Sequence, residues 1–149
     1  MHLKTEPTFH LEKKRYAEDA STEEVTAIKN RVYLHNNQII YYKEVPITTP
    51  FTTNLMFDKI DELANKMGPC GLIFDISTCE KPDSVARRSL NNHIKKLPDN
   101  IHQAAFIIKD NILIKTAAKF VMFQSNLKSY SINTTLEEAE LSINKILNA

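Results

Sequence analysis

Cys70 to Leu97 reads CGLIFDISTCEKPDSVARRSLNNHIKKL. Gly71-Leu72-Ile73-Phe74 is an unbroken apolar run that ends at Asp75 and gives way to a polar loop. Asp83-Ser84 then opens a segment in which Ala86, Leu90, Ile94 and Leu97 recur every three to four positions. That pattern predicts a buried strand, a loop at its carboxyl end, and a helix starting on a capping residue. In open α/β sheets the carboxyl ends of the strands are where ligands and partners are met. Nothing in the stretch by itself identifies a reaction.

Working outward, Pro98 stops the helix and Asp99-Asn100 turn the chain into Ala104-Ala105-Phe106-Ile107-Ile108, a second apolar run without alternation. Two such runs predict neighbouring parallel strands covered on both faces. Asp110 or Asn111 can cap a helix running to about Ser125, with Leu113, Ala117, Val121 and Met122 as core positions. Tyr130 and Ile132 mark a short edge strand. Thr135-Leu136-Glu137-Glu138 has capping-box spacing before the amphipathic set Leu136, Ala139, Ile143 and Leu147. On the amino-terminal side, Thr49-Pro50 predicts an N-cap and a proline at the first helical position. Leu55, Met56, Ile60, Leu63, Ala64 and Met67 form its stripe, which Gly68-Pro69 ends. Arg31–Lys43 predicts a hairpin with a two-residue Asn36-Asn37 turn in the left-handed conformation. Glu44 falls on that hairpin, away from the loop and helix after Asp75, as a bystander. Residues 1–30 predict a mobile tail and then a short helix, opened by Ser21-Thr22-Glu23-Glu24 and ending near Asn30. Residues 31–149 form one domain in the order ββ-α-β-α-β-α-β-α. The fold class is α/β, a mostly parallel central sheet with helices on its faces.

Composition narrows the function classes. The chain has 149 residues, 42% hydrophobic and 25% charged, which suits one globular domain. A formal net charge of +1 supplies no general field for nucleic acid, so none is expected as a partner. No apolar run approaches a membrane span, and residues 1–20 lack the apolar core of a signal peptide, so the expected location is cytoplasmic. Only Gly68 and Gly71 occur, which excludes a glycine-rich phosphate loop. Two cysteines, Cys70 and Cys79, and scattered histidines predict neither a disulfide framework, nor a metal site, nor a cofactor. Cys79 lacks a histidine at activating spacing and is expected to be a bystander. No pair of groups has catalytic spacing, so the expectation is a protein that is not an enzyme.

The segment LIFDISTCEKPDSVARRSL resembles the matching stretch of STAS domains, the sulphate-transporter and anti-sigma-factor-antagonist fold. In antagonists a strand ending in Asp leads through a loop to an Asp-Ser pair at a helix start, and Asp75 and Asp83-Ser84 match that pattern without a gap. Residues 31–147 match by element order, and the Ala86-Arg87 pair is similar to small stand-alone bacterial STAS-like proteins. Where antagonists continue with small residues and glycine, this chain has Val85-Ala86-Arg87-Arg88.

The resemblance implies a bacterial regulatory module that works by protein–protein interaction. Its implied phosphoacceptor is Ser84, and Asp75, Asp83, Arg87 and Arg88 face a regulatory protein partner such as a kinase, an anti-sigma-like protein or another signalling protein. A second copy of the chain is a further partner left open. The plainer readings stand beside these. Asp83 or Ser84 can be a helix cap alone, and Arg87, Arg88, Lys95 and Lys96 a solvated face. STAS-like chains also resemble CRAL-TRIO lipid-binding proteins. That implies an alternative function in small-ligand or lipid binding, with a cavity between the Leu113–Met122 helix and the sheet.

Overall fold

A computed structural model describes residues 11–108 and 129–148. Five strands form one sheet in the order β1-β2-β3-β4-β5: β1 (Val32–Asn36), β2 (Ile39–Lys43), β3 (Cys70–Asp75), β4 (Ile101–Ile107) and β5 (Tyr130–Asn133). β1 pairs antiparallel with β2, and every other pairing is parallel. The helices among the described residues are α1 (Thr22–Lys29), α2 (Pro50–Ala64), α3 (Ser84–Ile94) and α4 (Leu136–Leu147). The protein is α/β with a mostly parallel sheet. The helix expected from Asp110 or Asn111 to Ser125 lies outside the described residues, as does the cavity expected beside it.

All six residues of β3 are buried, and β4 is buried except at His102. As their unbroken apolar runs require, the two are parallel neighbours, with Leu72 opposite Ala104 and Phe74 opposite Phe106. One side of the sheet packs against α2 and α3, in a core that joins Met56, Ile60 and Ile94 to Leu72, Phe74 and Phe106. Across that side Tyr42, Phe74 and Phe106 stand in register on β2, β3 and β4. Phe74 lies edge-on to Tyr42 with centroids 4.9 Å apart and stacks on Phe106 at 5.0 Å. The opposite side packs against α4 through Ile39, Tyr41, Ile73, Ala105, Ile107, Ala139 and Ile143. Gly71 makes that second contact possible, because a Cβ there would run into the Ile143 side chain.

Helix starts follow their capping signals. Thr49 caps α2, with Pro50 in its first turn and a reciprocal bond from Thr52. Ser21 and Glu24 form a complete capping box on α1. On α4 only half of the expected box exists. Thr135 Oγ1 accepts from the Glu138 N–H at 3.2 Å, while the Glu138 carboxylate accepts from the Thr134 and Thr135 hydroxyls.

The hairpin corrects one expectation. Asn36 is the last residue of β1, the turn is Asn37-Gln38, and no residue among those described has a positive φ. The Asn36 side chain replaces the left-handed backbone by accepting from the Gln38 N–H at 2.8 Å, and the register slips between Leu34 and Asn36.

Residues 11–20 contain no helix or strand but lie against the domain. Tyr16 is buried in the core beside α2, and its carbonyl accepts from Thr49 Oγ1 at 3.0 Å.

Removing the Phe106 ring empties the middle of this packing. Phe106→Ala is expected to cost about 3–5 kcal/mol in denaturant melts. A loss under about 1 kcal/mol, the scale of a surface change, would place the ring outside the core.

Candidate functional site

The carboxyl ends of β2 and β3 gather the polar residues that the sheet interior excludes. Asp75 ends β3 and is 9% exposed, with both carboxylate oxygens engaged. One accepts a short hydrogen bond from the Tyr41 hydroxyl, and the other accepts from the Ser77 N–H at 3.1 Å and the Ser77 hydroxyl at 2.6 Å. Buried and bonded through both carboxylate oxygens, Asp75 anchors the loop that follows.

The loop is tied down along its length. Ile76 N–H donates to the Ile107 carbonyl and Glu80 N–H to the Pro46 carbonyl, each at 2.9 Å. Cys79 Sγ lies 3.4 Å from the Ile76 carbonyl, and burial pushes its thiol up to about 12. The side chain therefore stays a neutral thiol near neutral pH, in keeping with a bystander. Lys13 reaches Glu80 at 3.0 Å and Arg15 reaches Asp83 at 3.4 Å, so the amino-terminal segment lies beside this loop.

Asp83 caps α3 by accepting from the Ala86 N–H at 2.8 Å. That bond, with Arg15 nearby, holds its carboxyl below the ordinary value. Ser84 follows as the first helical residue, is exposed, and makes no side-chain hydrogen bond among the described residues. Its exposure leaves the hydroxyl within reach of a modifying enzyme. Arg88 is exposed and Arg87 half-buried. Arg88 shares a groove of about 500 Å³ between α2 and α3 with Lys96, His93 and Asn54. The expected basic face therefore divides, with Arg87 and Lys95 outside that groove. His93 lies tilted against Phe57 with ring centroids 4.9 Å apart and sits 2.6 Å from Asn54 Oδ1, and burial lowers its pKa.

Glu44 is the residue that sequence reasoning misplaced. It is 2% exposed, and its N–H donates to the Asp75 carbonyl at 3.0 Å, so it lies beside the loop it was expected to avoid. One carboxylate oxygen accepts from the Tyr42 hydroxyl at 3.1 Å and the other from the Val45 N–H at 2.9 Å. The Arg31 guanidinium bonds the Glu44 and Lys43 carbonyl oxygens rather than the carboxylate. Burial raises the Glu44 pKa to about 7, against the pull of these hydrogen bonds and of Arg31. A glutamate between a buried strand and Val45-Pro46 was the available signal, since strand alternation carries its side chain to the same face as Tyr42.

Among the described residues no group of three His, Cys, Asp or Glu side chains could hold a metal ion, and no helix is long and apolar enough to cross a membrane. No family model matches the chain, and comparison with curated proteins gives no match.

The buried Glu44 predicts a pH dependence with a definite sign. Its folded pKa of about 7 lies above its ordinary value of 4.5, so the folded state holds this proton more tightly than the unfolded chain does. The stability it contributes is complete below about 4.5, falls as pH rises through about 7, and is gone above that. The total is about 3 kcal/mol. Glu44→Gln, neutral at every pH, is expected to remove this fall in urea melts taken from pH 5 to pH 8. An unchanged pH profile in the variant would show that Glu44 does not titrate in this range.

Proposed function

We propose that this chain is a non-enzymatic regulatory module, related to the anti-sigma-factor-antagonist type of STAS domain, that meets a protein partner through the first turn of α3. Phosphorylation of Ser84 is its switch. One observation carries the reading. An exposed serine hydroxyl, unbonded among the described residues, begins a helix whose preceding loop is fixed to the core through Asp75 and the Ile76 and Glu80 amides. The resemblance of Asp75 and Asp83-Ser84 to the antagonist pattern supports it, as does the parallel sheet that delivers the loop at its carboxyl edge. A cytoplasmic setting belongs to the same reading.

The physics of the switch is local. A phosphate on Ser84 meets the free N–H groups of the first turn of α3 and the positive end of its dipole. It also adds close to two negative charges beside Asp83, whose Oδ1 already accepts from the Ala86 N–H. Arg15, 3.4 Å from Asp83, and Arg87 and Arg88, three and four residues after Ser84 on α3, are cations on this side of the helix start. A surface that receives an acidic partner before modification then repels it afterwards.

Ser84→Asp is expected to weaken partner binding about tenfold by like-charge repulsion, while Ser84→Ala binds as wild type. Glu44 is unsuitable as a control because it is buried, so Leu34→Ser on β1, exposed and remote in the sheet order, takes that place. Affinities are measured against the protein recovered with the wild-type chain from its native host. Wild-type affinity in Ser84→Asp, with Ser84 unphosphorylated in protein from that host, would reduce Ser84 to part of a helix cap.

A further inference from the structure

The α4 side of the sheet carries a second surface, on the face away from α2 and α3. Among the described residues five large hydrophobic side chains are exposed, and two of them, Leu141 (70%) and Ile146 (43%), stand on this face and line one groove. The groove measures about 730 Å³ and runs between β5, the last strand of the sheet, and α4. Its polar floor is joined in part within the chain, while Gln103 Oε1 is buried without a partner among the described residues. Gln103 Nε2 donates to Ser142 Oγ at 3.1 Å, and Ser142 Oγ lies 2.6 Å from Ser131 Oγ. What remains open is an apolar rim, and exposed apolar side chains gathered in this way mark association surfaces.

The charges on α4 identify the occupant. Ala139 and Ile143 face the core, while Glu138, Leu141, Ser142 and Lys145 recur at helical spacing along a second stripe that lines the groove. An acid begins that stripe, a base ends it, and an exposed leucine stands at its centre. Reversed end for end, the stripe is its own electrostatic complement, which is what an isologous two-fold contact requires.

We propose that a second copy of this chain docks here, α4 against α4 in antiparallel sense, about a two-fold axis beside Leu141 and Ser142. Each Glu138 then lies opposite the Lys145 of the other copy, the two Leu141 side chains meet on the axis, and Ile146 closes the rim. Two charge pairs and one apolar cluster make a contact at the small end of specific interfaces, so the dimer is weak and loosens with salt.

Sedimentation velocity of the full chain, from micromolar to near-millimolar concentration, tests this. Wild type is expected to dimerise with rising concentration. Leu141→Asp should abolish the dimer, and Lys145→Glu should weaken it about tenfold. Lys145→Glu and Glu138→Lys, each poor at self-association, should pair with one another when mixed, because both cross-axis contacts are then restored. Glu138 also accepts from Thr134 and Thr135, so its variant is first checked by thermal melting. If it is unfolded, Leu141→Asp and Lys145→Glu decide alone. A wild-type monomer throughout, or single variants that dimerise as wild type does, would overturn the proposal.

Discussion

A row of aromatic rings in register across three parallel strands, Tyr42, Phe74 and Phe106, is the contact on which the rest of the structure depends. Each ring comes from a different strand, and Phe57 from α2 lies against both Tyr42 and Phe74. Packing of this kind contributes more than its buried area, because edge-on and offset arrangements satisfy the ring quadrupoles. The row also sets the level at which the strands stop. Immediately beyond it the chain turns polar, at Glu44 after β2 and at Asp75 at the end of β3.

Those two carboxyl groups divide the edge between them. Tyr41 and Asp75 belong to the side that α4 covers, whereas Tyr42 and Glu44 belong to the side under α2. The Glu44 N–H to Asp75 carbonyl bond extends the β2–β3 pairing one step past the strands. Asp75 accepts from the Tyr41 and Ser77 donors, while Glu44, more deeply enclosed, has its charged form disfavoured. Both order the backbone from which the loop to α3 departs. The surface at Ser84 is thus supported by buried polar groups, although none of them touches Ser84.

Much of the fold was legible because its signals are local. The unbroken runs of β3 and β4, Thr49-Pro50 ahead of α2, and Asp83 ahead of α3 each describe their own surroundings and need no knowledge of the rest. The hairpin turn was harder. A side-chain bond from Asn36 can stand in for a left-handed backbone, and the residue type is the same for both. Glu44 and Asp75 were harder still. A charged residue after a strand is ordinarily solvated; alternation hints at the face Glu44 shares with Tyr42, but the tertiary arrangement of Tyr41, Tyr42, Ser77 and Val45 is what encloses both. The α4–β5 groove likewise emerges only when Ser131 and Leu141, distant from the decisive central stretch, are brought together.

The central claim is that the loop from Asp75 to Asp83 is a fixed platform and not a free connection, so that Ser84 is presented at one position. Native-state amide hydrogen exchange of the Ile76, Ser77 and Glu80 N–H groups tests it most directly, since each has a defined acceptor in Ile107, Asp75 and Pro46. The account predicts that these three amides exchange slowly, with Ile76 protected as well as the interior of β3. Exchange at the rate of an unstructured peptide at all three, with β3 and β4 still protected, would contradict it.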